Sequence, residues 1–125
     1  MQAIKKKILF VEDEPDQRTI VRMRVETGGF EFVEAENGKE GLKKAVSEKP
    51  DLILMDIIMP GMDGLEVCRR LREDPKTASI PIIATTAAGI EDLERQCYSA
   101  GVNDCVRKPY EAADLLKKIR HLLEK

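Results

Sequence analysis

Hydrophobic and polar positions follow two alternating patterns along the chain. Five short apolar segments predict β-strands, and the longer segments between them repeat apolar residues every three or four positions, as amphipathic helices do. The second strand alternates apolar and polar residues, which is typical of a sheet edge, whereas the first and third are apolar enough to be buried on both faces. The predicted strands are Lys7–Val11, Glu31–Ala35, Leu52–Met55, Ile80–Ala84 and Asp104–Arg107.

Helix boundaries are marked by proline, glycine and asparagine. The predicted helices run from Pro15 to Gly28–Gly29, from Asn37–Gly38 to Lys49–Pro50, from about Leu65 to Glu73, from about Ile90 to Ala100, and from about Ala112 to Leu123. The last has the clearest amphipathic pattern. The residues expected to face the core are Ile20, Val21 and Val25, then Leu42, Ala45 and Val46, then Leu65, Cys68 and Leu71, then Leu93 and Cys97, and finally Ala112, Leu115, Leu116, Ile119, Leu122 and Leu123.

This fivefold alternation of strand and helix predicts an α/β fold with a parallel sheet between two layers of helices. In such a fold, ligands bind at the carboxyl ends of the strands. The residues found there are polar: Glu12 and Asp13 follow the first strand, Asp56 the third, Thr86 the fourth and Lys108 the fifth. The sequence therefore predicts that these side chains converge on one crevice.

The chemistry of that crevice is predicted to be phosphoryl transfer. Three carboxylates repel one another, and Mg²⁺ removes this conflict because it prefers oxygen ligands. Lys108 and the hydroxyl of Thr86 remain as donors to an anion. The carboxylate of Asp56, at the mouth of a buried strand, is the candidate nucleophile.

Size and composition restrict the other possibilities. The 125 residues suit one domain, residues 1–125, and the 21 basic and 23 acidic residues leave no basic patch that would indicate binding to nucleic acid or to an anionic membrane. No apolar run approaches the roughly 20 residues of a membrane span, and the basic start is not a signal peptide. Cys68, Cys97 and Cys105 lack metal-site spacing and are interpreted as reduced, semi-buried residues of a cytoplasmic protein.

Taken as an ordered set, these motifs resemble a bacterial two-component response-regulator receiver domain, similar to the chemotaxis receiver, from Lys7 to Leu123. The residues that carry the resemblance are Glu12-Asp13, Asp56 with Met59-Pro60, Asp63-Gly64, Thr86-Ala87, Ala100-Gly101 and Lys108-Pro109-Tyr110. The resemblance implies a flavodoxin-like, doubly wound (βα)5 sandwich with strand order 2-1-3-4-5. Because no output domain follows Leu123, the expectation is a stand-alone regulator, although excision from a longer protein stays open.

The same resemblance implies a role for each site residue. Asp56 would take a phosphoryl group from a phosphohistidine of a sensor kinase or phosphotransfer protein. Asp13, Asp56 and the Ile58 carbonyl would bind Mg²⁺, with Glu12 acting largely through water. Thr86 and Lys108 would contact the phosphoryl oxygens, and the Lys108–Pro109 peptide would be cis. The domain would catalyse only its own phosphorylation and dephosphorylation, so it is not expected to be an enzyme toward other substrates.

One position departs from the pattern of the family. An aromatic residue commonly lies three residues before the site lysine and rotates inward on activation, but Cys105 occupies that position here. Thr86 and Cys105 are therefore the candidate switch residues, and output is expected through the face formed by the fourth helix, fifth strand and fifth helix. Ile58 and Ala88 flank the site, at two positions whose residues influence the lifetime of the phosphoryl group in this family.

Other readings are weaker. A phosphorylation-independent adaptor on the same fold remains the alternative, although the complete set of site residues argues against it. A dehalogenase-type phosphatase would need a second Asp where Ile58 lies, and the acidic residues after the first strand would repel the phosphate of a flavin. The only histidine, His121, lies near the end of the last helix, so the phosphoryl donor is expected to be another protein or domain. Tyr98 and Tyr110 are expected to be packing residues.

Overall fold

Five parallel strands form one sheet in the order β2-β1-β3-β4-β5, which is the order predicted from the sequence. The computed structural model describes residues 5–59, 61, 63–87 and 92–124. Its elements are β1 (Lys7–Val11), α1 (Pro15–Thr27), β2 (Glu31–Ala35), α2 (Gly38–Ser47), β3 (Leu52–Asp56), α3 (Gly64–Glu73), β4 (Ile82–Ala87), α4 (Leu93–Ser99), β5 (Asp104–Lys108) and α5 (Ala112–Leu123). The predicted start of the fourth helix at Ile90, together with Pro60 and Ala88, lies outside the described residues.

The two faces of the sheet carry separate hydrophobic clusters, because successive residues of a strand point to opposite faces. On one face, alternate residues of β1, β3 and β4 pack with α2, α3 and α4. On the other face, the intervening residues pack with α1 and α5. All five residues of β3 are buried, which explains its uninterrupted apolar sequence. The predicted three-layer sandwich is therefore confirmed.

The prediction for β4 was wrong by two to three residues, because this strand runs from Ile82 to Ala87 rather than from Ile80 to Ala84. The segment before it is tied to Arg72, whose guanidinium donates to the carbonyl oxygen of Ile80 at 2.7 Å. Pairing with β5 then continues as far as Ala87 opposite Lys108. Thr86 therefore lies inside the strand. The second helix was predicted to run to Lys49–Pro50 but ends at Ser47. The other boundaries that lie within the described residues differ by about one residue, which is within the ordinary uncertainty of helix and strand ends.

The prediction that Ile20 faces the core was also wrong. Its side chain is 44% exposed, whereas Val21 and Val25 are buried. These two valines are four residues apart and share one face of α1, and Ile20 lies a third of a turn away from Val21. In α2 and α3, the predicted Leu42, Val46 and Leu65 are only partly buried, whereas Ala45, Val67, Cys68 and Leu71 are fully buried. In α5, Leu115 and Ile119 are fully buried.

Among the residues that the structure describes, no helix has the length and apolar character needed to cross a membrane.

Candidate functional site

Three carboxylates meet at the carboxyl ends of β1 and β3. Glu12 and Asp13 follow β1, Asp56 ends β3, and one carboxylate oxygen of each lies within 4.8 Å of the others. The register explains this, because Val11 of β1 pairs with Met55 of β3 and so brings Glu12 beside Asp56. By strand alternation, both side chains point to the sheet face that α1 and α5 cover. The cluster predicted from the sequence is thus assembled by parallel pairing.

Burial makes this cluster electrostatically costly. Glu12 is 1% exposed and Asp56 is 5% exposed. Loss of water, followed by the neighbouring Asp56, raises the pKa of Glu12 to about 8. Few hydrogen bonds offset the cost: Glu12 accepts from the backbone N–H of Glu14 at 3.3 Å, and Asp56 Oδ1 accepts from that of Ile58 at 3.3 Å. The site therefore favours the entry of positive charge.

Lys108, the last residue of β5, supplies one such charge. Its Nζ lies 3.4 Å from Glu12 Oε1 and 3.6 Å from Asp56 Oδ1. Burial opposes the charged form of the lysine, but the two carboxylates outweigh this and raise the pKa of Lys108. One ammonium cannot balance three carboxylates, so an excess of negative charge remains. The Lys108–Pro109 peptide is cis, as predicted.

The donor set fits a hard divalent cation. Three carboxylate oxygens at this separation, two of them from buried residues, are ligands of the type that Mg²⁺ prefers. The backbone carbonyl of Ile58 was predicted to be a fourth ligand. The N–H of Ile58 donates to Asp56, so this residue lies beside the cluster, but the role of its carbonyl in metal binding stays a prediction.

Thr86 lies on the opposite face of the sheet from Asp56 and Lys108. Residues 82 and 84 of β4 pack with α3 and α4, and by alternation Thr86 shares their face. It is buried, and its hydroxyl donates to the carbonyl oxygen of Val106 at 3.5 Å, a long bond that holds it weakly toward β5. Its predicted contact with a phosphoryl group stays a prediction.

Thr85 was missed by the sequence reasoning. It pairs with Asp56 in the register, is fully buried, and among the described residues its hydroxyl has no hydrogen-bond partner. Residues two apart in a strand share a sheet face, so Thr85 lies on the same face as Ile83, which is also the face of Asp56. The correct register of β4 would have revealed it, since the Thr-Thr pair offers no local signal of which hydroxyl faces the carboxylates.

Gly64 fixes the loop that follows Asp56. Its N–H donates to the carbonyl oxygen of Ile57 at 3.0 Å. A Cβ at this position would lie 2.6 Å from the backbone oxygen of Asp56, so only glycine allows the chain to fold back this closely. Asp63 caps α3 by accepting from Glu66 N–H at 2.9 Å. The Asp63-Gly64 motif therefore positions the strand end that carries Asp56.

The remaining predicted residues lie around this site. Cys68, Cys97 and Cys105 are free thiols, as predicted. Cys105 is half-buried in β5 and packs against the core beneath α3 and α4, but the prediction that all three are semi-buried was wrong, because Cys68 and Cys97 lie inside that core and are fully buried. Tyr110 packs against the α1–α5 cluster, as expected. Tyr98 is 49% exposed, so its predicted packing role was wrong: it follows the buried Cys97 in α4 and points away from the core. His121 is exposed on α5.

Comparison with known proteins agrees with this geometry. The family model described as the response regulator receiver domain matches residues 8–120. The phosphate regulon regulator PhoB of Pseudomonas aeruginosa is 39% identical over 120 residues, which are 96% of this chain and 52% of PhoB. Protein PilH of the same organism is 37% identical over 117 residues, covering 94% of this chain and 97% of PilH.

A solved structure shows the same likeness in fold. The receiver domain of a Pseudomonas aeruginosa sensor histidine kinase is 29% identical with a TM-score of 0.90, covers 98% of this chain and 100% of that one, and holds a magnesium ion in its active-site cleft. The chain spans about half the length of the first curated relatives that it matches.

Proposed function

The chain belongs to the response-regulator receiver family, and we propose that it accepts a phosphoryl group from a phosphohistidine of a sensor kinase or phosphotransfer protein onto Asp56. The observation that supports this most strongly is the buried cluster of Glu12, Asp13 and Asp56 with Lys108 beside it. Buried carboxylates this close together repel one another, Lys108 offsets only part of that repulsion, and a bound divalent cation would offset the rest.

The proposed transfer uses groups already at the site. An oxygen of Asp56 attacks the phosphorus, a P–O bond forms, the P–N bond to the donor imidazole breaks, and the imidazole leaves with the bonding electron pair. Lys108 lies 3.6 Å from Asp56 and is placed to follow the negative charge onto the phosphoryl oxygens. Glu12, Asp13, Asp56 and the Ile58 carbonyl would hold Mg²⁺, which when bound offsets the charge of the carboxylates and of the transferred group.

The response is proposed to pass through Thr86 to the face formed by α4, β5 and α5. An aspartyl phosphate adds roughly −1.5 to −2 charges, by analogy with other phosphoresidues. The hydroxyl of Thr86 is held only by a 3.5 Å bond to Val106, so little is lost if it turns toward that charge. Its movement would shift the chain between β4 and α4 and change which proteins bind this face.

The wider setting is part of the same proposal. The chain acts as a single receiver unit in the cytoplasm, binds proteins rather than nucleic acid or membranes, and catalyses only its own phosphorylation and dephosphorylation. The near balance of 21 basic and 23 acidic residues supports the absence of nucleic-acid binding, because such proteins usually carry a basic patch.

Labelling with acetyl phosphate tests the proposal. The parent protein should gain one phosphoryl group in the presence of Mg²⁺ and none with excess EDTA. Asp56→Asn should gain none, and Asp13→Ala should lose both Mg²⁺ binding and labelling. Asp63→Asn is the matched control, because Asp63 is exposed and asparagine caps a helix equally well, so its labelling should match that of the parent.

The adaptor alternative predicts a different outcome. A phosphorylation-independent adaptor would bind its partner equally well with or without Mg²⁺ and acetyl phosphate, and its Asp56→Asn variant would behave like the parent. Full labelling of Asp56→Asn would contradict the assignment of the phosphoacceptor.

A further inference from the structure

Two of the three cysteines, Cys97 and Cys105, lie on α4 and β5, two elements that pack against each other. Cys97 lies on the same face of α4 as Leu93, one turn earlier, and both are buried against the sheet. Cys105 packs against the same core, while its neighbour Val106 belongs to the cluster on the other sheet face. Strand alternation therefore directs the Cys105 thiol toward α4.

The two thiols lie close enough to affect each other's ionisation. The neighbouring Cys105 thiol, together with burial, raises the pKa of Cys97. The neighbouring Cys97 thiol is the main reason that the pKa of Cys105 is lowered, and the nearby hydroxyl of Tyr98 lowers it further. Partial burial and then the charge of Cys105 raise the pKa of Tyr98 to about 12, so its hydroxyl remains a donor near neutral pH.

The acidic groups around Cys105 oppose its ionisation, but both are paired with cations. Glu94 of α4 accepts from Arg107 Nε at 2.6 Å, and Asp104 lies 3.2 Å from Lys118 Nζ of α5. These pairs reduce the repulsion that either carboxylate exerts on a thiolate at Cys105. The more acidic thiol, Cys105, thus lies near the Cys97 thiol and the Tyr98 hydroxyl, while the neighbouring carboxylates are paired with cations.

The two cysteines also differ in access. Cys97 is fully buried, whereas Cys105 is half-buried on β5, an edge strand of the sheet. A small oxidant can therefore reach Cys105 first and leave Cys97 as the neighbouring thiol. A partly accessible, more acidic thiol beside a second cysteine is the arrangement that favours reversible oxidation.

We propose that Cys105 and Cys97 form an oxidisable dithiol, which a peroxide converts to an intramolecular disulfide between β5 and α4. The Cys105 thiolate attacks one oxygen of hydrogen peroxide, the O–O bond breaks, hydroxide leaves, and the sulfur becomes a sulfenic acid. The sulfur of Cys97 then attacks that of Cys105, and the displaced hydroxyl leaves as water with the Cys97 proton. The net change is the loss of two hydrogen atoms from the protein and the reduction of peroxide to water.

The disulfide would link α4 covalently to β5 and would not contact the acidic cluster. Asp56 and Lys108 lie on the other face of the sheet, so the oxidised protein keeps its phosphoacceptor site. Its α4 would then move less after phosphorylation, a consequence that rests on the proposed function. Labelling of reduced protein by acetyl phosphate tests that function separately, so a failure of either idea can be told from a failure of the other.

Peptide mapping of the peroxide-treated protein tests the proposal. Residues 96–107 form one tryptic peptide that contains both Cys97 and Cys105 and has no internal Lys or Arg. After treatment, this peptide should be two hydrogen atoms lighter and should not react with an alkylating reagent. Cleavage before Asp104 should leave its halves joined until a reductant is added. Under denaturing conditions the free thiols should fall from three to one, and the remaining one should be Cys68.

Variants separate this pair from other thiol reactions. Cys68→Ala should form the same disulfide, Cys105→Ala should form none, and Cys97→Ala should leave a sulfenic acid at Cys105 that dimedone captures. A disulfide through Cys68, a disulfide-linked dimer, or three alkylated cysteines after peroxide treatment of the parent would overturn the proposal. The mapping of the parent decides the matter even if a variant fails to fold.

Discussion

Replacing Asp56 by asparagine should stabilise the protein when Mg²⁺ is absent. When all three carboxylates are ionised, the cluster with its one ammonium has a formal charge of −2, and Asp56→Asn reduces this to −1 with almost no change in shape. The loss of the Asp56–Lys108 attraction is small, because Lys108 keeps Glu12 as a partner at 3.4 Å. Removing the repulsion should therefore dominate.

The magnitude follows from Glu12. Its pKa rises from 4.5 to about 8 in the folded protein, and its side chain is 1% exposed. At about 1.4 kcal/mol per pKa unit, the whole shift corresponds to roughly 4 to 5 kcal/mol. Burial is the largest cause and persists in the variant, so the part that Asp56→Asn relieves is on the order of 1 to 2 kcal/mol near pH 8.

The pH dependence has a defined sign. The pKa of Glu12 is higher in the folded than in the unfolded protein, so folding binds this proton more tightly. The stability associated with that proton is fully present below about pH 4.5 and is lost as the pH rises through about 8. The Mg²⁺-free parent should therefore lose stability between these values, and Asp56→Asn should lose less.

Urea unfolding followed by circular dichroism, with EDTA and then with saturating Mg²⁺, measures these differences. Mg²⁺ should stabilise the parent more than Asp56→Asn and narrow the gap between them. Asp63→Asn, an exposed cap that keeps its acceptor, should stay within about 0.5 kcal/mol of the parent. A parent that equals or exceeds Asp56→Asn in stability near pH 8 with EDTA would refute the reasoning.

Three further changes test how the site is supported, each by chemical denaturation. Arg72→Ala should lower the free energy of unfolding by about 2 to 3 kcal/mol, because its guanidinium donates to Ile80, Gly101 and two other acceptors. The control, Arg69→Ala at an exposed position, should lower it by less than about 0.5 kcal/mol. Asn37→Ala should cost about 1 kcal/mol through loss of the cap to Glu40 N–H, and Asn37→Asp should restore it. Gly64→Ala should lower the free energy of unfolding by about 1 to 3 kcal/mol and slow Mg²⁺-dependent labelling, because the added Cβ would displace the backbone of Asp56. Unchanged stability and labelling would contradict the proposed role of Gly64.

The parts predicted from the sequence are those that depend on pattern and topology alone. Strands β1 and β3 are buried on both faces, so their apolar runs are unambiguous, and once they are parallel neighbours, Glu12 and Asp56 must meet. The free cysteines and the cis Lys108–Pro109 peptide also agree with expectation.

The errors have a common cause in long-range contacts. The start of β4 depends on Arg72 and Asn103, which reach it from α3 and from the loop before β5, and no local pattern records this. The exposure of Ile20 and Tyr98 depends on how their helices are rotated against the sheet. The meeting of Cys97 with Cys105 likewise requires the packing of α4 on β5, which residue spacing does not reveal.

The most direct test of the central claim is chemical identification of the phosphorylated residue. After labelling of the parent with acetyl phosphate and Mg²⁺, borohydride reduces an aspartyl phosphate to homoserine, and mass spectrometry of the peptides locates the change. Homoserine is expected at position 56, with unmodified aspartate at positions 13 and 63. Homoserine at another position, or its absence from fully folded protein that has bound Mg²⁺, would contradict the account.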